Sequence, residues 1–374
     1  TASQSWWMFD TMRGIVTSSN GADDARLKAN ATTAEDTQNR LHVTSTGFKL
    51  TSSASGVNDS NTFIYIAIRR GTAVPTSATE VFHMDLTGSS EPAGTQKTTG
   101  FPVDFQIVKL TSGSHTIAMD RLRGASSTTT ESGPYLYLSS TNAEAGTTLT
   151  RKWDNTGYQI TSTFGNNPYM FWNFKRAPNY MDVVAYTGTG SARTVSHNLG
   201  VAPEMIWVKN RGDARNWIVY SPLGTTKWLE LDNTQAAQNE NSGFLWNQTA
   251  PTDSVFSLGT SVNVNASANT YIAYLFASLD GISKVGSVTH SGTTNVDCGF
   301  SSGSRFVLLK RTDAAGDWYV WDSERGIVSG NDPYFRLNAN AAQVTNTDYI
   351  DPLSSGFTIT DDFTDGDYIF YAIA

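Results

Sequence analysis

Asp322-Ser-Glu-Arg325-Gly326 is the last copy of a pattern, Asp-x-x-Arg-Gly, that also appears as Asp10-Thr-Met-Arg13-Gly14 and as Asp120-Arg-Leu-Arg123-Gly124. A degenerate copy, Ser221-Pro-Leu-Gly224, lies between the second and the last. The copies begin at positions 10, 120, 221 and 322, so they are 110, 101 and 101 residues apart. Repetition at a period close to the size of a small domain predicts a modular array.

Two further motifs recur in the same order. An aromatic motif follows each turn, as Gly47-Phe48-Lys-Leu50, Gly157-Tyr158-Gln-Ile160, Val255-Phe256-Ser-Leu258 and Gly356-Phe357-Thr-Ile359. An apolar motif then closes each unit, as Phe63-Ile-Tyr-Ile-Ala67, Tyr169-Met-Phe-Trp172, Tyr271-Ile-Ala-Tyr-Leu275 and Tyr368-Ile-Phe-Tyr-Ala372. The markers predict four repeats, at residues 1–70, 71–177, 178–281 and 282–374.

The composition favours strands over helices. Charged residues make up 16% of the chain and aromatic residues 11%, and short runs rich in Val, Ile, Tyr, Phe and Trp alternate with polar turn residues. In the last repeat these runs predict about seven strands, at 284–289, 294–298, 305–311, 317–322, 334–338, 356–361 and 368–373. We therefore predict an all-β protein, a tandem array of antiparallel β-sandwich repeats (jelly-roll or immunoglobulin-like) of about 100 residues each.

The first repeat lacks the opening strands of the others. Elsewhere a strand-like run ends at Lys109, Lys209 or Lys310, 11 or 12 residues before the turn motif, and no such run precedes Asp10. An incomplete sandwich would expose a sheet edge and an apolar face. We expect residues 1–70 to pack against a neighbouring subunit or an upstream segment of the same protein.

Charge and cysteine content narrow the possible partners. The net charge of −8 argues against nucleic-acid binding, which needs a clustered basic face. No run of 18 apolar residues is present, so we expect no membrane insertion. The single cysteine, Cys298, is interpreted as a buried thiol in a strand. No motif indicates a cofactor.

Two patterns could indicate chemistry, but structural explanations are favoured for both. Gly299-Phe-Ser301-Ser-Gly303 matches a nucleophile motif, yet a strand rather than a helix is predicted to follow it. Asp361, Asp362, Asp365 and Asp367 could bind calcium, but they lack the full spacing of a calcium loop, so a solvated hairpin is favoured. We expect no enzymatic activity.

The repeated turn motif is interpreted as structural. We expect each aspartate to accept backbone N–H bonds, each arginine to pack back on it, and each glycine to take a positive φ. The residues concerned are Asp10, Arg13 and Gly14, then Asp120, Arg123 and Gly124, and finally Asp322, Arg325 and Gly326. Loss of such a cap costs about 1 kcal/mol.

Receptor contacts are expected in the loops that differ among the repeats, because the repeated positions build the sandwich. Aromatic side chains offer a large contact area at low entropic cost. The candidates are Trp228, Trp246 and Asn247 in the third repeat, with Tyr349 and Asp351 in the fourth. Packing in a core or in a subunit interface is the alternative for the tryptophans.

Three stretches carry a resemblance to a known module: 184–209 (VAYTGTG followed by RTVSHNLGVAPEMIWVK), 271–281 (YIAYLFASLDG) and 348–357 (DYIDPLSSGF). Together they resemble a module found in tail-fibre and other virion proteins of tailed bacteriophages. The resemblance covers residues 178–374, whereas residues 1–177 are more diverged. It implies a virion protein with adhesin-like repeats and supplies no set of catalytic residues.

The sequence thus predicts the distal part of a phage tail fibre or a related virion appendage, located on the virion and extracellular. Its expected function is to bind a glycan or protein receptor on the bacterial surface. The expected partners are that receptor, other virion proteins and further copies of the chain, as a homotrimer or a higher oligomer. Two alternatives stay open: a purely structural virion component (a capsid decoration, a head fibre or a tail-tip connector), and an array of carbohydrate-binding modules attached to an upstream enzyme.

Overall fold

A computed structural model describes residues 5–11, 24–38, 40–43, 47–50, 62–68, 71, 73–124, 132–148, 151–160 and 167–374. Every paired strand in these ranges runs antiparallel to its neighbours. The helices in the same ranges are single turns, at Ala78–Glu80, Arg121–Gly124 and Val262–Asn265, and none of them is long enough to cross a membrane. The all-β, antiparallel fold class is confirmed.

The strands fall into four groups along the chain. The first group is β1 (Trp7–Phe9), β2 (Asp24–Lys28), β3 (Asp36–Gln38), β4 (Leu41–Val43) and β5 (Phe48–Leu50). The second is β6 (Phe82–Leu86), β7 (Gln96–Thr98), β8 (Phe105–Leu110), β9 (Ile117–Asp120), β10 (Ser132–Tyr137), β11 (Ala145–Thr148), β12 (Arg151–Trp153), β13 (Gly157–Ile160) and β14 (Tyr169–Phe174). The third is β15 (Met181–Thr187), β16 (Arg193–Ser196), β17 (Met205–Asn210), β18 (Ile218–Tyr220), β19 (Lys227–Glu230), β20 (Gln238–Asn239), β21 (Val255–Leu258) and β22 (Thr270–Phe276). The fourth is β23 (Ser283–His290), β24 (Thr294–Asp297), β25 (Phe306–Arg311), β26 (Trp318–Asp322), β27 (Tyr334–Arg336), β28 (Ile350–Leu353), β29 (Gly356–Ile359) and β30 (Gly366–Ile373).

Three large sheets have the same order of pairing. Sheet A is β11-β10-β9-β8-β14-β6, sheet B is β15-β22-β17-β18-β19-β20, and sheet C is β23-β30-β25-β26-β27. In each of them the opening strand (β6, β15 or β23) pairs with the closing strand (β14, β22 or β30), which pairs in turn with the strand that contains the lysine (β8, β17 or β25). Sheets A, B and C lie within residues 71–177, 178–281 and 282–374 respectively; the division of the chain into repeats at these boundaries stays a prediction.

A small sheet covers one face of each large sheet. The small sheets are β12-β13-β7 on sheet A, β16-β21 on sheet B and β24-β29-β28 on sheet C. Each pair of sheets encloses its own apolar core, and these three cores are separate from one another. This face-to-face arrangement is that of a β-sandwich.

The opposite faces of sheets A, B and C meet in one central core. Aromatic rings join each pair of sheets there. The ring centroids are 4.1 Å apart for Phe105 and Tyr274 (A and B), 5.0 Å for Phe276 and Tyr371 (B and C), and 5.4 Å for Phe306 and Phe82 (C and A). The three sandwiches therefore close on one another as a ring within a single chain.

This closure explains why the closing motifs are apolar at consecutive positions. Successive side chains of a strand point to opposite faces. In β22, Tyr271, Ala273 and Leu275 lie in the sandwich core of sheet B, whereas Ile272, Tyr274 and Phe276 lie in the central core. A strand buried on both faces needs apolar side chains at both alternating sets of positions.

The first group of strands is less enclosed. Strands β1, β2 and β3 form one sheet, and β4 pairs with β5. Residues 62–68, which carry the closing motif of this region, belong to no strand, and Ile64, Ile66 and Ile68 are 79%, 85% and 88% exposed. The corresponding residues of β22 are fully buried. The expectation that residues 1–70 pack against another segment stays a prediction.

Candidate functional site

The ring is closed by a buried lysine at the same place in each large sheet. Lys109, Lys209 and Lys310 are fully buried, and burial lowers the pKa of each to about 8. Each Nζ donates one bond to a carbonyl oxygen of the following turn in its own sheet. Each donates another to the neighbouring sheet: Lys109 to Ala339 O (2.5 Å), Lys209 to Thr141 O (2.8 Å) and Lys310 to Thr234 O (3.2 Å). These bonds run from A to C, from B to A and from C to B.

A backbone hydrogen bond accompanies each lysine. The acceptor is the residue two places after the lysine, and the donor lies in a loop of the neighbouring sheet. The three bonds are Glu144 N to Arg211 O (2.8 Å), Ala237 N to Thr312 O (2.9 Å) and Gln343 N to Thr111 O (3.0 Å). They define three equivalent interfaces, which we call A/B, B/C and C/A.

The turn motif of Asp120 lies in the A/B interface. Asp120 Oδ1 accepts the Arg123 backbone N–H (2.9 Å), and Oδ2 pairs with the Arg123 side chain. Tyr274 of sheet B donates its hydroxyl to Asp120 Oδ2 (2.7 Å). Gly124 has a φ of 108°, which favours glycine. The motif thus has the local contacts expected of a turn and, in addition, reaches the next sheet.

The A/B interface holds a second carboxylate, that of Glu144. Arg123 Nη1 donates to Glu144 Oε2 (3.2 Å), and Arg211 donates to both Glu144 oxygens (2.8 and 2.7 Å). Burial alone would raise the pKa of Glu144, but the hydrogen bonds and charges of the two arginines outweigh it and hold that pKa below its usual range. Burial would likewise lower the pKa of Arg123, but Asp120, Tyr274 and Glu144 raise it. Two arginines and two carboxylates therefore compensate one another.

The turn motif of Asp322 lies in the C/A interface and has the same local geometry. Asp322 Oδ1 accepts the Arg325 backbone N–H (3.0 Å), and Oδ2 accepts Arg325 Nε (2.7 Å). Trp172 of sheet A donates its indole N–H to Asp322 Oδ2 (3.2 Å), in the place of Tyr274. Gly326 has a φ of 122°. Burial lowers the pKa of Arg325, and Asp322 only partly offsets it.

The degenerate turn Ser221–Gly224 lies in the B/C interface. Ser221 is buried, and its hydroxyl accepts the Leu223 N–H at a long 3.4 Å. Leu223 and Ala237 pack against the central core. Ser221 and Gly224 thus stand where the other two interfaces have an aspartate and an arginine. In the first copy of the turn motif, Asp10 lies near the end of the described range 5–11. Arg13 and Gly14 of that copy lie outside the described residues.

The structure corrects two of the five receptor candidates. Trp246 is 1% exposed and packs edge to face on Tyr220, with 5.6 Å between ring centroids. Its display on a loop was a wrong prediction, because the indole fills the sandwich core of sheet B. Trp228 is also not in a loop: it belongs to β19, pairs with Gln238 in β20, and packs half-buried against the same core.

The other three candidates are divided between two sandwiches, with Asn247 in the third group of strands and Tyr349 and Asp351 in the fourth. Asn247 is exposed, with a left-handed φ of 50°. Tyr349 is half-buried and stacks on Tyr334 with 5.6 Å between ring centroids. Asp351 lies in β28, half-buried, opposite Thr358. Of the five, only Asn247 presents a fully accessible side chain.

The aspartates near the last hairpin do not converge on a cation site. Asp361, Asp362, Asp365 and Asp367 are all exposed. Asp365 accepts the Gly292 N–H (3.0 Å) and Asp367 accepts the Thr289 hydroxyl (2.7 Å), as solvated loops do. In the described part of the chain, no group of three or more acidic, His or Cys side chains is placed to hold a metal ion.

The remaining reactive side chains lie in structural surroundings. Ser301 is exposed in the loop between β24 and β25, and the element that follows it is a strand. Cys298 is buried, and burial raises the pKa of its thiol to about 12.

The sequence profile of DUF7483, a domain of unknown function, matches residues 1–70 and 79–374. The chain belongs to the DUF7483 family. No curated protein matches it. The DUF7483 profile runs without interruption through all three large sheets, so its second matched range coincides with the closed ring.

The three interfaces are the part of this DUF7483 chain that motif reasoning missed. The sequence pattern indicates only a local role for the turn motifs, and no motif marks Glu144 or Arg211. One signal is present in the sequence: the lysines at the second-last positions of β8, β17 and β25 follow apolar runs. A lysine in such a run must find buried acceptors.

Proposed function

We propose that the chain is the host-facing part of a bacteriophage virion appendage, a tail-fibre adhesin that binds a glycan or protein on the bacterial surface. The proposal rests on one observation: the positions shared by the three sandwiches are buried, whereas exposed side chains lie in a loop that differs among them. The lysines, the turns and the closing strands of sheets A, B and C are buried in the ring, whereas residues 247–250 of the loop after β20 are exposed. Such a loop can change without disturbing the core that holds it.

The loop at 241–250 is the contact surface that the proposal favours. Asn247, Gln248 and Thr249 are exposed, and the buried ring of Trp246 anchors the loop beneath them. The backbone N–H of Asn247 donates to Gly243 O (3.1 Å), and Gln248 Nε2 donates to Asn241 O (2.9 Å). Amide groups on an anchored loop suit the hydroxyl groups of a glycan, because both donate and accept hydrogen bonds.

The proposal is tested by measuring the adsorption of virions that carry Asn247→Ala. The matched control is Asn331→Ala, because Asn331 is an exposed asparagine of the fourth sandwich. We expect Asn247→Ala to slow adsorption about tenfold, the effect of losing roughly 1.4 kcal/mol of binding free energy. Both variants should assemble, and Asn247→Ala should lose at most about 1 kcal/mol of stability, because alanine tolerates the left-handed φ of 50° at this position less well than asparagine. Unchanged adsorption by Asn247→Ala would remove this loop from the proposed contact.

A second function, that of a structural connector in the virion, is favoured by the exposed apolar segment 62–68. An unpaired extended segment can add to the sheet of another protein by strand addition. Replacing Ile64 and Ile66 with Thr should then reduce incorporation of the chain into virions. Normal incorporation together with reduced adsorption would favour the adhesin instead.

The proposed oligomer is a homotrimer or larger, because several copies turn weak contacts into avid binding. The ring itself closes within one chain, so this oligomer is not required for its three-sheet core. Sedimentation equilibrium of the purified chain measures the stoichiometry, and a monomer at micromolar concentration would contradict it.

A further inference from the structure

The C/A interface contains a cavity of about 300 Å³. Its lining includes Thr111 and Pro168 from sheet A and Arg325, Pro333 and Gln343 from sheet C. The two prolines give it apolar walls. Its polar groups come from the turn motif and from the loop that donates the interface backbone bond.

Two of the residues that line this cavity carry a buried polar atom without a hydrogen-bond partner in the protein. The Arg325 side chain is 2% exposed, and its Nε and Nη2 are engaged by Asp322 and by Val320 O. Its Nη1 is buried and unpaired. The side-chain oxygen Oε1 of Gln343 is also buried and unpaired. A buried guanidinium donor without an acceptor is costly, so a ligand that supplies one gains affinity.

The A/B interface shows what such an arginine binds. There the equivalent donor, Arg123 Nη1, bonds to the Glu144 carboxylate, which Arg211 holds from the other side. The interface backbone bonds place Gln343 at the position of Glu144, and Thr111 at the position of Arg211. Both replacements are uncharged, and threonine is much shorter than arginine. The cavity therefore lies where the A/B interface has a carboxylate and an arginine side chain.

The geometry points to this cavity as a binding site for a small monovalent hydroxycarboxylate, such as a uronic acid. Its carboxylate accepts the Arg325 Nη1–H, and one of its hydroxyl groups donates to Gln343 Oε1. Glu324, an exposed residue at the cavity, and the buried Asp322 weaken the binding of a monoanion and weaken that of a more highly charged ligand further. This inference goes beyond the proposed function and does not depend on it.

Isothermal titration of the whole chain with glucuronate tests the inference, with glucose as the neutral counterpart of the same ring size. We expect saturable binding of glucuronate, with a Kd of roughly 1 mM, and none of glucose at the same concentrations. Equal heats for the two sugars, or no saturable binding of glucuronate, would overturn the inference.

The variant Gln343→Glu locates the site. It places a carboxylate where Glu144 stands in the A/B interface, so it should occupy Arg325 Nη1 and weaken glucuronate binding at least about tenfold. The same variant should unfold at a higher urea concentration than the wild type, because a buried donor gains its partner. This result separates a blocked site from a misfolded chain. Wild-type affinity in a stably folded Gln343→Glu variant would refute the assignment to this cavity.

Discussion

The A/B and C/A interfaces each contain a turn motif, a buried lysine and a backbone hydrogen bond, but they differ in the partners of the arginine in the turn. In A/B, Glu144 and Arg211 complete a network in which each buried charge has a partner. In C/A, Gln343 and Thr111 leave Arg325 with a single carboxylate and leave a cavity beside it. The turn motif is thus common to both interfaces, whereas the residues at two neighbouring positions decide whether the interface is filled or open.

The largest expected loss of stability comes from removing the carboxylate of Glu144, which is present in the A/B interface and has no counterpart in the C/A interface. Glu144→Ala leaves Arg123 and Arg211 with fewer partners in buried surroundings. We expect the free energy of unfolding to fall by about 3 to 5 kcal/mol, the scale of breaking a buried ion pair. The measurement is urea unfolding followed by tryptophan fluorescence. The matched control is Gln343→Ala, which should cost less than about 1 kcal/mol, because Gln343 Oε1 has no partner to lose. An equal decrease in the free energy of unfolding for the two variants would contradict the proposed difference between the A/B and C/A interfaces.

The second prediction compares the turn of Asp322, which contains an ion pair, with the degenerate turn Ser221–Gly224. A local cap alone predicts about 1 kcal/mol for Asp322→Ala. Because Asp322 is fully buried and also accepts bonds from Arg325 and Trp172, we expect about 3 kcal/mol instead. Ser221→Ala in the B/C interface should cost under about 1 kcal/mol, since the serine has only a long bond to Leu223 N. Urea midpoints measure both. A loss of only about 1 kcal/mol for Asp322→Ala would restore the purely local interpretation of the turn.

A smaller effect concerns the lysines, which all three interfaces share. Their pKa is lowered from the ordinary value of 10.5 to about 8 by burial. Between these values the unfolded chain binds more protons than the folded one, so stability should rise with pH, by about 1.4 kcal/mol per pH unit for each lysine. The contribution of these lysines to the free energy of unfolding is therefore least favourable below the folded-state pKa and becomes more favourable as the pH rises through that range.

Lys209→Met checks this sign. The variant should lose about one third of the lysine contribution to the slope between roughly pH 8 and 9.5, measured from urea midpoints. Comparison with the wild type at each pH removes the opposing effects of Cys298 and of the buried tyrosines, whose pKa values are raised. An identical slope in the variant would show that Lys209 keeps its ordinary pKa.

The sequence was sufficient for the strands and for the turn. The runs predicted in the last region agree closely with seven observed strands, because alternation and turn residues are local signals. The eighth strand, β28, was missed because Pro352 lies within it, and proline in a short run argues against a strand. Asp120 and Asp322 cap their turns as the spacing indicated.

The same reasoning could not find how the sheets meet. Arg123 and Tyr274, or Lys109 and Ala339, are far apart in sequence, and no local period records such contacts. Trp246 was misplaced for a related reason. Variation among the copies suggested an exposed loop, but the third sandwich uses this tryptophan to fill a core that the other sandwiches fill differently.

Closure of the ring is tested most directly by joining its two ends with a disulfide. The Gln343 backbone nitrogen lies 3.0 Å from Thr111 O, and both residues line the same cavity, so we expect cysteines at these two positions to reach each other. Thr111→Cys combined with Gln343→Cys should oxidise to an intrachain disulfide, seen as faster migration of the monomer without reductant. The mismatched pair Thr111→Cys with Ala237→Cys should keep free thiols. If the matched pair gave only free thiols or interchain dimers, the three sheets would not close on one another within one chain.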